Sequence, residues 1–465
     1  MDSFEKLRPV GLLEQYSTAR HHHGFYFNVA AAAAYTLPAT YTLPAKDYIY
    51  EACGSLIHQH PSLSAIPVDE GTKNPYFVRL PEIDLDQPIC FQERRHDTPK
   101  VGSDTEPEQD LELQSLLQTQ HNTGFTPPLP FWRLCILTEA ANPRRFTAVF
   151  VYHHALGDGS SGKSFHRKFL QALHDAASLS PGQTKRVITS PQTPLLPNLE
   201  AVHPLPVSIP YLLTVAFKAK IWSPRDPGMW AGGKVQSPVE TQVRHVALPE
   251  SLTSSLKSLC RGQSTTITAF LQTIVARALF AHLPDTYSSL KCCSSVSTRR
   301  WLPDSITEDS LGVWVEDYYE YYKRDATNTT RFPWPEAQRS RNTIEAVLNQ
   351  KGKNASSNLL RYVKDFHQEL FLLQLGKPRV TSYELSNIGA VGVDQAGDSG
   401  KPVVGRMAFS QSANLVGAAV MLSTVTGGDG CLVLTFTWQK GVVEAGLIES
   451  VIGSMKTELD VLVRC

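Results

Sequence analysis

The chain has 465 residues, of which 42% are hydrophobic, so it is long enough for two domains or one duplicated fold with a large packed interior. Lys plus Arg and Asp plus Glu each number 44, and this balance excludes the basic surface that nucleic acid or an anionic membrane requires. We therefore expect small molecules as partners and no nucleic acid.

Neither a secretory signal nor a membrane span is visible in the sequence. The N-terminus lacks a basic region followed by an apolar run, and no stretch of about 20 apolar residues occurs. The cysteines are scattered, and only Cys292 and Cys293 are adjacent, which suits neither a CxxC redox pair nor a zinc knuckle. These features predict a cytoplasmic protein with reduced thiols and no transmembrane segment.

Helix and strand patterns alternate in the first part of the chain. Apolar side chains at helical spacing predict a helix over 47–60, which Pro61 ends. The segments 130–137 and 146–152 are rich in aromatic and β-branched residues and predict strands. A helix over 161–177 is expected directly after them, with its apolar side chains on one face.

Prolines then recur over a long stretch, and a second alternating pattern follows it. We predict a first lobe over 1–180, a proline-rich crossover over 181–239 and a second lobe over 240–465. The second lobe should contain a buried helix that Thr265 or Thr266 caps at its N-terminus, and a final amphipathic helix for which core packing is favoured over membrane contact. Its strand signals lie at 288–297, 311–322, 403–424 and 431–438.

The segment Tyr152–Gly159 has the sequence YHHALGDG and follows an apolar strand. Two histidines there, His153 and His154, are costly to bury unless the protein uses them. An imidazole has an unperturbed pKa of about 6.5, which suits it to take a proton from a hydroxyl group near neutral pH. A carboxylate such as Asp158 can orient the histidine or pair with an arginine that holds the turn closed. This segment is the candidate site of the chemistry.

Residue chemistry alone leaves three other interpretations of this segment. The run GDGSSG at 157–162 is formally a GxGxxG between a strand and a helix, as in dinucleotide sites, but no strand ending in an acid follows about 20 residues later. His153, His154 and Asp158 could ligate a metal, although no second cluster at ligand spacing is evident. The two histidines could also be hydrogen-bonded structural residues of a turn.

The HHxxxDG pattern, with a strand before it and a helix after it, resembles the signature of the superfamily that contains chloramphenicol acetyltransferase, plant HxxxD acyltransferases and condensation domains. Within that superfamily the chain most resembles the fungal alcohol acetyltransferase family. The plant motif DFGWG is absent. The similar blocks cover nearly the whole chain in order and lie at 7–26, 58–63, 130–133, 296–301, 311–312, 386–389 and 409–412.

The resemblance implies an α/β fold of mixed sheets with flanking helices, built as two chloramphenicol-acetyltransferase-like lobes around a central tunnel. His154 would deprotonate an alcohol from one side while an acyl-CoA enters from the other, with no covalent acyl-enzyme. Acetyl-CoA or another acyl-CoA is the implied co-substrate, without a permanently bound cofactor or a metal. The implied acceptor is a small alcohol, including those of secondary metabolism, and the implied assembly is a monomer.

The resemblance also implies roles for residues around the histidine. Asp158 would point away from the substrate and pair with an arginine of the second lobe, with Arg299 the first candidate and Arg300 the second. The backbone N–H of Gly159 and the hydroxyl of Ser161 are candidate contacts of the oxyanion or the acyl group, and helix capping is an equal interpretation of Ser161.

Further residues are expected along the tunnel. His153 would pack or form hydrogen bonds beside the base rather than act as the base. The run His21–His23 does not predict a metal site, because successive side chains point in different directions. The residues expected to line the tunnel are Tyr26 and His153 from the first lobe, and Ser386, Asn387, Ser410 and Gln411 from the second.

The leading hypothesis from the sequence is an acyl-CoA-dependent alcohol O-acyltransferase that transfers an acetyl group. A second class of function uses the same histidine and tunnel without coenzyme A, either by taking the acyl group from a carrier protein or by catalysing a cyclisation or an elimination. A third class is a binding protein without catalysis, which the intact HHxxxDG disfavours. The acyl-CoA assignment rests on the resemblance, because a fold by itself does not determine chemistry.

Overall fold

The computed structural model describes residues 4–96, 109–220, 226–392 and 400–464. The strands are β1 (Glu5–Pro9), β2 (Val29–Thr36), β3 (Ala65–Val68), β4 (Tyr76–Arg79), β5 (Glu82–Asp84), β6 (Ile89–Glu93), β7 (Trp132–Thr138), β8 (Arg145–Tyr152), β9 (Val187–Thr189), β10 (Thr241–Leu248), β11 (Ser289–Ser297), β12 (Val315–Lys323), β13 (Tyr383–Ala390), β14 (Val403–Gln411), β15 (Val420–Thr426) and β16 (Leu432–Gln439). The helices are α1 (Leu12–His22), α2 (Ala45–Gln59), α3 (Leu111–His121), α4 (Gly159–Asp175), α5 (Leu199–Val202), α6 (Ile209–Lys220), α7 (Glu250–Gly262), α8 (Ile267–His282), α9 (Arg324–Thr327), α10 (Trp334–Gln350) and α11 (Ala445–Arg464).

Two large mixed sheets organise the chain. The first has the strand order β14-β2-β8-β7-β6, in which only β6 and β7 run parallel. The second has the order β10-β16-β15-β13-β11-β12, with parallel pairing of β15, β13 and β11 and antiparallel pairing elsewhere. Two large apolar clusters form the core, and the first of them joins the five-stranded sheet to apolar residues of β10, β15 and β16 of the second sheet. This two-lobed α/β architecture confirms the predicted fold class.

The strand β2 forms against its local sequence preference. It contains five consecutive alanines, Ala30–Ala34, and alanine is the strongest helix former. The strand is nevertheless central, with β14 on one side and β8 on the other. Small side chains suit this position because α4 packs very closely here: a Cβ atom on Gly162 would lie 2.8 Å from that of Ala31. Tertiary packing therefore overrides the helical preference.

The helix α4 carries the residues after the histidine pair onto the first sheet. Asp158 caps its N-terminus by accepting a hydrogen bond from the backbone N–H of Ser161. Its apolar face is buried, and the ring of Phe165 stacks on Phe150 of β8 with centroids 3.7 Å apart. The cap fixes where the helix begins, and the aromatic stack fixes how it lies on the strand that ends at the histidines.

Most elements predicted from the sequence are present within a few residues of their expected limits. The helix predicted over 47–60 is α2, the strands predicted over 130–137 and 146–152 are β7 and β8, and Thr266 caps α8. The prediction for 403–424 is wrong in one respect. That segment forms two strands in different sheets, because β14 pairs with β2 of the first sheet and β15 pairs with β13 and β16 of the second.

The chain thus returns to its first sheet late in the sequence. Although β14 follows β13 along the chain, it forms an edge of the sheet that contains β8. The lobe limits 1–180 and 240–465 stay a prediction. Residues of the second range supply β14, which is a strand of the first sheet. In the described ranges, no single helix is long and apolar enough to cross a membrane, whereas the pair α7 and α8, bent by 98°, passes jointly by length and composition only.

We expect Gly162→Val to lower the free energy of unfolding by about 1–3 kcal/mol, the usual range for overpacking a tight contact. A side chain there meets both Ala31 and the hydroxyl of Tyr152, which would lie 2.9 Å from the new Cβ. Urea denaturation followed by circular dichroism measures the change. Gly453→Val in α11 is the matched control, because a Cβ there meets nothing within 4 Å. Equal stability of the two variants would contradict the close packing.

Candidate active site

His154 lies between the end of β8 and the start of α4 and lines a cavity of about 790 Å³. The walls of this cavity come from both sheets, including Phe409 and Gln411 on β14 and Ser386 on β13. Nδ1 of His154 is buried and makes no hydrogen bond of good geometry with the described residues. Nε2 is therefore the ring nitrogen through which the imidazole can meet a ligand.

The surroundings of His154 favour its neutral form. Burial lowers the pKa of His154 to about 3, and the positive charge of Arg20 lowers it further, against a smaller opposing effect of Asp158. The ring of Tyr26 lies beside the imidazole with centroids 5.8 Å apart. A neutral imidazole can accept a proton, so the residue is chemically prepared to act as a base at any pH near neutrality.

Asp158 takes part in a buried ion pair that joins the two sheets. Nη1 and Nη2 of Arg299 donate to Oδ2 and Oδ1 of Asp158 over 2.7 and 3.0 Å, and both residues are at most 4% exposed. The backbone N–H of Trp314 donates to Oδ2 over 3.0 Å. Asp158 follows β8 and Arg299 follows β11, so the pair fixes the histidine segment against the six-stranded sheet.

Ser161 belongs to the same hydrogen-bond network. Its hydroxyl lies 2.9 Å from the backbone oxygen of Gly312 and 3.2 Å from Oδ1 of Asp158, and Nη2 of Arg299 donates to its oxygen over 3.2 Å. The side chain is buried and does not line the cavity. The Ser161 hydroxyl therefore faces the buried network and not the cavity. The N-cap of α4 is Asp158 rather than Ser161, which receives the cap through its backbone N–H.

His153 points away from the cavity towards Glu70. Its Nδ1 accepts a hydrogen bond from the backbone N–H of Ala155 over 3.0 Å, and its Nε2 lies 3.1 Å from Glu70 Oε1. The other oxygen of Glu70 lies 2.7 Å from Nδ1 of His21, whose Nε2 accepts from the backbone N–H of Phe125. Burial opposes the ionised form of Glu70, but the hydrogen bond with His21 and the nearby ring of His153 lower its pKa to about 2.

His21, Glu70 and His153 are close enough together to be considered as metal ligands. The hydrogen bonds argue against that use. Each imidazole accepts a backbone N–H on the nitrogen opposite Glu70, so the nitrogen that faces Glu70 carries the proton. A metal-bound imidazole instead holds its proton on the opposite nitrogen, where it donates. The group is therefore a carboxylate that lies between two histidines behind the turn that carries His154.

Two groups of polar side chains border the cavity that His154 lines. One contains Lys163 and Arg300, and the amine of Lys163 is partly desolvated, which lowers its pKa. The other contains Arg20, Glu384 and Gln411, in which Nε2 of Gln411 donates to Oε1 of Glu384 over 2.8 Å. The cavity therefore offers cationic groups at more than one place.

The chain matches the sequence profile described as alcohol acetyltransferase over residues 9–453. The chain belongs to the alcohol acetyltransferase family. It is 35% identical to a protein of Aspergillus fumigatus named probable alcohol acetyltransferase crmB, over 95% of this chain and 96% of that one. It is 24% identical to the probable alcohol acetyltransferase FCK4 of Fusarium pseudograminearum, over 96% and 93%. Membership of this family makes the protein an acyltransferase and confirms the predicted family and enzyme class.

Solved structures with low sequence identity share the fold. The trichothecene 15-O-acetyltransferase TRI3 of Fusarium sporotrichioides is similar with a TM-score of 0.69 at 13% identity, covering 98% of this chain and 95% of that one. A condensation domain of the calcium-dependent antibiotic synthetase is similar with a TM-score of 0.65 at 14% identity, covering 98% and 97%. At such identities the similarity shows the shared two-lobed fold alone.

The structure brings together part of the predicted site. The ion pair predicted between Asp158 and Arg299 is present, and Arg300 instead borders the cavity without joining that pair. Gly159 also lines the cavity, where a Cβ atom would lie 2.9 Å from Ile388 and Phe409. Of the residues expected along the tunnel, the cavity is bordered by Ser386, Asn387 and Gln411.

Three expected lining residues lie outside the cavity wall. Tyr26 stands behind the wall and donates its hydroxyl hydrogen to Oε1 of Gln411 over 3.1 Å. His153 turns towards Glu70, as described above. Ser410 is fully buried with its hydroxyl 2.7 Å from Nε2 of His121. Alternation along β14 explains the place of Ser410, because successive side chains of a strand point to opposite faces and its neighbours Phe409 and Gln411 face the cavity.

Sequence reasoning did not single out Arg20, Lys163, Glu70 or Glu384. Arg20 lies six positions before Tyr26 in the similar opening block, which was the one available signal. Lys163 follows the capped start of α4 by one helical turn, and such spacing marks a helix surface as readily as a site. Glu70 and Glu384 are single carboxylates in unremarkable local sequence, and their partners are distant along the chain.

We expect Arg299→Met to lower the free energy of unfolding by about 3–5 kcal/mol, because it leaves the carboxylate of Asp158 buried without its cation. Urea denaturation measures the loss, and acyltransferase activity should fall with it. The double variant Arg299→Met/Asp158→Leu is the matched control. Removing both charges should restore much of the stability without restoring activity. A single variant as stable as the wild type would show that the pair does not hold the two sheets together.

We also expect stability to fall as the pH falls from about 6.5 to 4. Burial lowers the pKa of His154 and of His121 to about 3 in the folded state, so the unfolded chain takes up these protons first. Each such histidine contributes a slope of about 1.4 kcal/mol per pH unit. Between pH 6 and 5, His154→Ala should therefore show a shallower slope than the wild type in urea denaturation. The exposed His58→Ala is the control, and identical slopes for wild type and His154→Ala would contradict the neutral buried imidazole.

Proposed function

We propose that this protein transfers an acyl group, with acetyl the leading candidate, from acyl-CoA to the hydroxyl group of a small alcohol, and that His154 is the general base. The observation that carries the proposal is the neutral His154 imidazole on the wall of a cavity between two sheets. The Asp158–Arg299 ion pair supports it further, because the pair fixes the histidine segment while Asp158 makes no hydrogen bond to the imidazole.

The chemistry follows from this placement in three steps. Nε2 of His154 removes the hydroxyl proton as the alcohol oxygen attacks the thioester carbonyl carbon. The tetrahedral intermediate collapses by breaking the carbon–sulfur bond, and the imidazolium returns its proton to the departing thiolate. Ester and coenzyme A thiol are the products, and no acyl-enzyme forms. A positioned base typically contributes about 10²–10⁴-fold to the rate, and holding both substrates in one cavity contributes through proximity.

The start of α4 is suited to stabilise the negative charge of that intermediate. Gly159 is the first residue of the helix and lines the cavity, where the backbone N–H groups of a first helical turn have no partner within the helix. The helix dipole adds a partial positive charge at the same place. We assign the backbone N–H of Gly159 as the oxyanion contact, whereas the Ser161 hydroxyl belongs to the buried network of Asp158 and Arg299.

The cations Lys163 and Arg300 are suited to the phosphates of coenzyme A. Both line the cavity, and no carboxylate oxygen lies within ion-pair distance of either among the residues that the structure describes. Arg300 lies in the short helical turn that also holds Arg299. A phosphate-bearing donor on this side would place its thioester beside His154 and leave the remaining cavity, with Arg20 and Glu384, to the acceptor.

A carrier-protein donor or a reaction without any thioester uses the same histidine and is the alternative. A carrier presents the single phosphate of phosphopantetheine, whereas in free coenzyme A that phosphate is part of a pyrophosphate and the adenosine carries a further 3′-phosphate. Two separate cations, Lys163 and Arg300, favour the more highly charged donor. This difference supports acyl-CoA as the donor.

We expect purified protein to release free thiol from acetyl-CoA only when a hydroxylated acceptor is present. His154→Ala should lower this release at least about 10²-fold, because the proton of the attacking hydroxyl loses its base. A thiol-reactive chromophore measures release across a panel of hydroxylated metabolites, and mass spectrometry identifies the ester. His58→Ala, an exposed histidine at the end of α2, is the matched control and should retain full activity.

Two outcomes would contradict this function. Equal release by wild type and His154→Ala would exclude the histidine as the base. His154-dependent product formed without any thioester, or only with an acylated carrier protein, would replace acyl-CoA transfer by the alternative reaction.

A further inference from the structure

Arg20 is a buried cation without a counter-ion at the active site. It lies on α1, is 6% exposed and borders the cavity that contains His154. Its Nε is buried without a hydrogen-bond acceptor, and no carboxylate oxygen lies within ion-pair distance of the guanidinium in the described ranges. Buried guanidinium groups are ordinarily paired, because removing the charge from water is costly. A partner that is absent from the free protein would explain the position.

Aromatic rings hold this guanidinium in place. Its Cζ lies 3.7 Å from the ring centroid of Tyr26 and 5.0 Å from that of Tyr16. Such cation–π contacts hold the planar group while leaving its N–H donors free for other acceptors. Tyr26 also contacts the ring of His154. The guanidinium and the catalytic imidazole therefore share one rigid neighbour, which fixes their separation.

The neighbouring polar groups are already occupied with each other. The hydroxyl of Tyr26 donates to Gln411, and Gln411 donates to Glu384. Burial raises the pKa of Glu384, and the repulsion of Asp317 adds to this, against opposing effects of Gln411 and Arg20. Glu384 is thus held by an amide rather than by the nearby arginine. The N–H donors of Arg20 are left as the unpaired groups on this part of the wall.

We infer that Arg20 binds a carbonyl or carboxylate oxygen of the acceptor alcohol and so positions its hydroxyl group at His154. The class of acceptor is a hydroxylated ketone, ester, amide or carboxylic acid, rather than a simple alkanol. This inference rests on the proposed function for the identity of the reacting hydroxyl, and it deepens that function by naming the substrate class. A fork of N–H donors on a fixed plane suits the lone pairs of such an oxygen.

The test measures binding in the His154→Ala background, where no turnover can occur. The probes share one ring and one hydroxyl: cyclohexanol, 4-hydroxycyclohexanone and trans-4-hydroxycyclohexanecarboxylate. Ligand-observed NMR titration gives a Kd for each. We expect the two oxygen-bearing probes to bind about 10- to 100-fold more tightly than cyclohexanol, the range for a hydrogen bond to a charged group. The tighter of the two distinguishes a carbonyl from a carboxylate as the preferred group.

Arg20→Met, added to that background, should weaken the binding of the two oxygen-bearing probes and leave that of cyclohexanol unchanged. The ratio of their Kd values should then be close to one. Arg20→Lys keeps the charge but loses the fork, so it should retain part of the preference for the carboxylate and lose that for the ketone. Arg167→Met removes a cation from the exposed face of α4 and is the charge control. A melting curve for each variant confirms that it is folded.

Three results would overturn the inference. These are equal binding of all three probes, absence of binding by both oxygen-bearing probes, or an equal loss of affinity for cyclohexanol and its analogues in Arg20→Met. Because binding needs neither coenzyme A nor His154, these results are separable from failure of the proposed function. That failure would appear as an absence of thiol release by the wild type, whatever the binding preference.

Discussion

The buried ion pair between Asp158 and Arg299 is the interaction on which the site depends. Asp158 caps α4, and its carboxylate also accepts the backbone N–H of Trp314, so one side chain fixes a helix, a turn and the second sheet. Such a pair is weak evidence for stability, since desolvation cancels much of its attraction. Its contribution here is geometric. Because the pair is bidentate, it fixes the position of the segment that carries His154 relative to the second sheet.

The carboxylates near His154 hold neighbouring residues in place and do not bind the His154 imidazole. Asp158 makes no hydrogen bond to the imidazole, and Glu70 holds His153 rather than His154. The His154 imidazole is therefore kept neutral by burial and by the nearby charge of Arg20, and no carboxylate forms a hydrogen bond to it among the described residues. The mechanism that we propose needs a base that accepts one proton and returns it, and a neutral imidazole on the cavity wall is suited to that role.

The cavity draws its walls from parts of the chain that are far apart. Its wall includes β14, which lies between β13 and β15 of the second sheet in sequence yet pairs with β2 of the first sheet. On that strand Ser410 is turned towards His121, whereas Gln411 faces the cavity and connects Tyr26 to Glu384. The pairing of β14 with β2 thus brings the hydrogen-bonded side chains of Tyr26, Gln411 and Glu384 near His154. The cavity is enclosed by residues of both sheets.

The sequence by itself determined the family, the two-lobed α/β class, the elements around HHxxxDG and the pair of Asp158 with an arginine near 299, because motif and local periodicity are encoded over short spans. Tertiary structure alone decided that β14 joins the first sheet, that Ala30–Ala34 form a strand and that Arg20 faces the cavity unpaired. These depend on contacts between residues distant along the chain. Whether a side chain is buried and whether its charge is paired depend on such contacts, and a local sequence pattern does not reveal them.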